Sequence, residues 1–102
     1  MKIKIFQINN ERDANDVKFM NFDRTARIQK TEKIDPQIYD EVFNGDIEAK
    51  TLEDVFTRFN TESHPLHRGH SLSVSDIVQT DEGAFFCDSV GFQKVDFDAT
   101  LT

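Results

Sequence analysis

Three short strand signals, packed close together with turns too tight for a helix between them, constrain this chain most. Ile77-Val78-Gln79-Thr80 and Ala84-Phe85-Phe86-Cys87-Asp88 flank Asp81-Glu82-Gly83, which reads as a tight hairpin. Gly91 then breaks or bulges the chain before Phe92-Gln93-Lys94-Val95-Asp96-Phe97, where alternation resumes. At the other end Lys2-Ile3-Lys4-Ile5-Phe6-Gln7-Ile8 alternates, with Ile3 and Ile5 on one face and Lys2, Lys4 and Phe6 on the other. A chain of 102 residues holds one such core but not two, and ten phenylalanines supply large apolar groups in the absence of tryptophan.

Between these ends the helical signals are short. Thr51-Leu52-Glu53-Asp54 is a capping-box variant, and Leu52, Val55, Phe56 and Phe59 form a stripe, which predicts a helix over 51–60. Asp23 is placed to cap a short helix through Ile28, with Arg24, Arg27 and Lys30 on one basic face. The apolar run 17–22 suggests a second strand. Asp35-Pro36 suggests an N-cap followed by proline at the first helical position, or a turn. Asn44-Gly45 has the composition of a hairpin turn, and residues 61–69 read as a loop. The expected architecture is a single α+β domain over 1–102: a small, twisted, mostly antiparallel, barrel-like sheet with one main helix and short helical segments.

Net charge is −7, split as +3 over residues 1–34 and −10 over 35–102. A field of that sign repels nucleic acid and attracts basic grooves; solubility alone also favours acidic surfaces. One cysteine, Cys87, excludes an intrachain disulfide. With no apolar leader or spanning stretch, the expected location is the cytoplasm.

Chemistry-bearing residues are present, but none has a specific context. His64, His67 and His70 recur every three residues without the partners that make metal motifs specific, so loop histidines are the plainer account. Cys87, or Ser71, Ser73 or Ser75, can be paired on paper with His70 and with Asp76 or Asp88. Cys87 follows Phe85-Phe86, as a small buried hydrophobe does, and no nucleophile elbow is present. The pairs Asp40-Glu41, Glu53-Asp54 and Asp81-Glu82 are sequence neighbours that point apart, as a solvated face requires. No glycine-rich phosphate loop can be assembled, so no cofactor is expected. In Ser71-Leu72-Ser73-Val74-Ser75-Asp76 the hydroxyls and Asp76 are expected to close a tight corner by bonding backbone amides.

His70-Ser71-Leu72-Ser73-Val74-Ser75-Asp76-Ile77-Val78, followed by Phe85-Phe86-Cys87-Asp88-Ser89-Val90-Gly91-Phe92, resembles the YodL-like domain. The strand Ile5-Phe6-Gln7-Ile8, the segment Tyr39 to Gly45 and the helix at 51–60 are similar to that family too. Residues 9–34 are the least similar. The resemblance implies a setting on bacterial plasmids, integrative elements and phages, and it carries over no catalytic residues. Its motif residues here are Gly69, His70, Ser71, Ser73, Ser75, Asp76, Asp88 and Gly91, which read equally well as turn and corner chemistry.

Size, acidity and that setting lead to the expectation of a non-enzymatic protein that binds and inhibits a host nucleic-acid-targeting defence protein, of anti-CRISPR or anti-restriction type. It would do so by occupying a basic groove with Asp40, Glu41, Asp46, Glu48, Glu53 and Asp54. The alternatives are an accessory interaction module of conjugation or phage machinery, and a nucleic-acid binder using Arg24, Arg27, Lys30 and Lys33, which the net charge disfavours.

Overall fold

The computed structural model describes residues 1–62 and 64–102. Strands β1 (Lys2–Ile8), β2 (Tyr39–Asp46), β3 (Ile77–Thr80), β4 (Gly83–Cys87) and β5 (Phe92–Val95) form one sheet in the order β2-β1-β3-β4-β5. Every neighbouring pair is antiparallel. Helices α1 (Phe22–Gln29) and α2 (Leu52–Thr61) and short 3-10 turns complete an α+β fold. The sheet is open, with β2 and β5 as its edges, so the barrel-like expectation stops short of closure.

Each face of the sheet has its own core, which removes any need to close it. Ile3, Ile5 and Val78 meet Phe43, Ile47, Leu72 and, from α2, Val55 and Phe59. Phe6, Ile8, Ile77, Ala84 and Phe86 meet Val17, Ile34, Ile38, Tyr39 and Phe97. Tyr39 and Phe43 are four residues apart on one strand, yet they serve opposite cores. A bulge explains this: Phe6 faces Glu41 but Ile5 faces Phe43, leaving Val42 as the extra residue that reverses the alternation.

Several local expectations need correcting. Asn44-Gly45 is no hairpin turn: both residues lie inside β2, opposite Lys4 and Ile3, and neither has positive φ. A Cβ on Gly45 would come 3.0 Å from Cζ of Phe43, so the missing side chain leaves room for that ring. The run 17–22 is no strand, because side chains take its backbone donors. Asp13 accepts from the amides of Val17 and Lys18, and the Ser75 hydroxyl accepts from Phe19. Asn21, not Asp23, caps α1 by accepting from the Arg24 amide at 2.8 Å, while Asp23 pairs with Arg27 across one turn. Phe56 is 39% exposed, and the buried stripe of α2 is Val55 and Phe59, with Leu52 partly buried.

Other signals were read correctly. Asp35 caps the 3-10 turn Pro36–Ile38, and Asp81-Glu82 is a two-residue link with Thr80 paired to Gly83 at φ +130°. The expected loop over 61–69 includes Ser63, which lies outside the described residues. Thr51 and Asp54 form a reciprocal capping box. Thr51→Ala should therefore cost about 1 kcal/mol, read as a lower urea midpoint at unchanged slope.

Candidate functional site

The family-like motif folds into a corner built around a residue that sequence reasoning passed over. Gln7 continues the face of Ile3 and Ile5 and is only 3% exposed. Its amide nitrogen donates to the His70 carbonyl and to Oδ2 of Asp76, each at 2.9 Å. Its oxygen accepts the His70 amide at 3.1 Å. A glutamine on the apolar face of a strand was the available signal, since a buried amide requires partners.

Gly69 makes that approach possible: a Cβ there would fall 1.9 Å from the Gln7 oxygen and 3.2 Å from Cβ of Val42. Asp76 has no exposed surface, and its Oδ2 also accepts from the Ser73 amide at 2.8 Å. Its backbone accepts from Cys87 at 2.8 Å, while Ser75 donates to the Cys87 carbonyl at 2.9 Å, fixing the corner to the end of β4. Ser75 is buried in the left-handed region at φ 82°, where its carbonyl accepts from the Tyr39 hydroxyl at 2.6 Å. Asp88 accepts from the amides of Phe22 and Ser89, and Gly91, at φ +70°, returns its carbonyl to the Asp88 amide at 3.0 Å.

The corner thus brings His70, Ser73, Asp76 and Cys87 into one neighbourhood. His70 Nδ1 lies 2.6 Å from the Ser71 carbonyl, which requires a proton on that nitrogen. It therefore cannot act as base toward Ser73, whose Oγ is 3.4 Å away. Burial, then Asp76 and Asp88, pushes the Cys87 thiol up to about 12, against thiolate formation. Asp76 itself is pushed up to about 7 by burial, opposed by its bonds from Ser73 and Gln7. The three histidines go separate ways. His64 lies against Phe43 and Phe59, and His67 meets Phe59 and the His70 carbonyl. Among the described residues no group of three or more His, Cys, Asp or Glu is placed to hold a metal ion.

The six carboxylates expected to meet a partner are not one patch. Arg12 and Asn9 bond Asp40 and hold its carboxyl below the usual carboxylate range, and Glu41 faces Lys4 at 3.8 Å. Asp46, Glu48 and Asp54 do converge, lining an open depression of about 740 Å3 where β2 ends and α2 begins. Met1 and Lys50 line it as well, and the terminal ammonium lies 3.3 Å from Asp46. Asp54 accepts the amides of Lys50 and Thr51, which lowers its carboxyl. Glu53 is exposed in the same first turn of α2. No helix among the described residues is long and apolar enough to cross a membrane.

A family model described as YodL-like domain matches residues 2–97. No curated protein and no solved structure matches the chain.

Proposed function

The chain belongs to the YodL-like domain family, and we propose that it acts as a non-enzymatic binding module whose acidic lip occupies a basic groove on a protein partner. The observation that carries this reading is the convergence of Asp46, Glu48 and Asp54 on one open depression, with Glu53 exposed beside it. Asp40 and Glu41 already hold Arg12 and Lys4 elsewhere on β2, so the contact set narrows to Asp46, Glu48, Glu53 and Asp54. Two features support a non-catalytic role: the thiol of Cys87 is held protonated, and His70 spends its Nδ1 proton on a backbone carbonyl.

The partner class is a host defence protein whose Arg/Lys groove accepts guide RNA or target DNA. A net charge of −7 supports that choice, as does the mobile-element setting that the family resemblance implies. The acidic lip would displace phosphates from the groove, and its field would raise the encounter rate. An accessory role in conjugation or phage machinery would use the same lip toward a partner from the same element.

Pull-down with an RNA-guided nuclease lacking its guide should capture the protein at about 50 mM salt and lose it at about 500 mM. The double reversal Glu48→Lys/Glu53→Lys should weaken capture at low salt by about tenfold or more. A complex indifferent to salt and to the reversal, or no complex at all, would sink this reading.

A further inference from the structure

We propose that Gln7 and Asp76 form a proton-controlled latch: a neutral Asp76 clasps the 69–76 corner to β1, and loss of its proton opens the corner and frees the segment carrying Phe19. The geometry starts from an imbalance within one carboxyl group. Oδ2 of Asp76 accepts from Gln7 and Ser73, whereas Oδ1 is buried with no hydrogen-bond partner. In the neutral acid Oδ1 carries the proton as an unpaired hydroxyl, a smaller penalty than the lost hydration an anion would bear in that position.

Among the described residues no group donates to Oδ1, and both donors to the carboxyl are spent on Oδ2. From β2, the Tyr39 hydroxyl donates away, to the Ser75 carbonyl. At the end of β4, Cys87 and Asp88 offer a buried thiol and a second acid. From the corner, His70 directs its Nδ1 proton to Ser71. From the 13–21 segment, Lys18 is the cation that favours the ionised form, while Asp13 adds an acid that accepts the Val17 and Lys18 amides. The bonds from Ser73 and Gln7, with that cation, do not outweigh the burial, which agrees with a carboxyl shifted up to about 7.

What the latch controls follows from its contacts. The corner is not a strand, and Gln7 holds it through both His70 backbone groups and the Asp76 side chain. Phe19 is 58% exposed at φ 69°, a left-handed conformation costly for a bulky residue. Lys18 holds its ammonium over the ring at 5.2 Å, while the two other supports both belong to the corner: the Ser75 hydroxyl on its amide at 3.0 Å, and the His70 ring at 5.6 Å. Opening the corner removes those two supports and lets Phe19 relax. Proton loss thereby becomes a change in exposed apolar surface.

Amide hydrogen exchange, corrected for intrinsic rates, tests this on the full chain at about pH 5.5 and about pH 8. The amides of Phe19, His70 and Ser73 should lose about tenfold or more in protection at the higher pH, while those of Ile5 and Val78 hold theirs. In Asp76→Asn the same three amides should lose their pH response. Protection that stays level in the wild-type protein, or that falls equally in Asp76→Asn, overturns the latch. If Asp76→Asn does not fold, the carboxyl carbon shift of Asp76 in the wild-type protein decides instead. A titration midpoint near neutrality supports the latch, and a group ionised throughout overturns it.

Discussion

Replacing Gln7 with leucine is expected to lower the unfolding free energy by about 2–4 kcal/mol, although leucine is the more apolar residue at a site only 3% exposed. Leucine ends one bond short of the glutamine's polar atoms, leaves the His70 amide without its acceptor and takes from Asp76 one of the two donors to its carboxyl. Each orphaned buried group costs about 1–3 kcal/mol, which outweighs the gain from burying two more apolar atoms. For a domain of this size the melting temperature should fall by roughly 10–20 °C. Gly69→Ala should act through the same clamp, because its Cβ would fall 1.9 Å from the Gln7 oxygen, which can move aside only by giving up its bond from the His70 amide. The two losses should therefore not add. In a double-mutant cycle, Gly69→Ala should cost little once Gln7 is leucine. Full additivity would show that the glycine answers to Val42 and not to the clamp.

That clamp also marks the boundary of what could be read from residues alone. The strands at 2–8, 77–80, 83–87 and 92–95 were legible because alternation and adjacent turn residues are local signals. The capping box at Thr51 and Asp54 is local in the same sense. Asn44-Gly45 misled because its preference for positive φ is only a permission. The ladder of β2 on β1 uses the pair in extended form, with Phe43 folded over the glycine. The reversal at Val42 and the strand-free path of 17–22 depend on partners far away in sequence, namely Ile5, Phe6 and Ser75. The Ser75 hydroxyl takes the amide of Phe19, 56 residues away, and not a local one, but the bond from the Ser73 amide to Asp76 within the corner was anticipated. The corner's anchor on Gln7, 69 residues away from Asp76, was not, because no local pattern records a contact between β1 and that corner. Of the six carboxylates, sequence could count charge but not place it, and the fold gathers only three around the depression.

Stability should fall as pH rises from about 5.5 to about 8, and Asp76→Asn should remove most of that fall. The sign follows from the direction of the shift. Burial raises the folded-state value of Asp76 from 3.8 to about 7, so between those values the folded chain holds a proton that the unfolded chain has released. The unfolded state binds fewer protons there, and stability declines with pH until both states are ionised. Over the upper half of that window the loss amounts to about 2 kcal/mol. The other shifted groups act elsewhere. Asp40, Asp54 and Asp98 are lowered, so what they contribute is lost only below the ordinary carboxylate range. Cys87 is raised to about 12 and Tyr39 further still, above the window. Starting near pH 5.5 also keeps the protein clear of its isoelectric point of about 4.8. In Asp76→Asn the side-chain oxygen can still accept from Gln7 and Ser73, while the amide nitrogen takes the place of the orphan oxygen at a cost independent of pH. The variant should therefore trail the wild-type protein at pH 5.5 and close or reverse the gap at pH 8, as read from urea midpoints. A wild-type protein that gains stability with pH across this range would mean that Asp76 stays ionised in the fold, with its second oxygen hydrated.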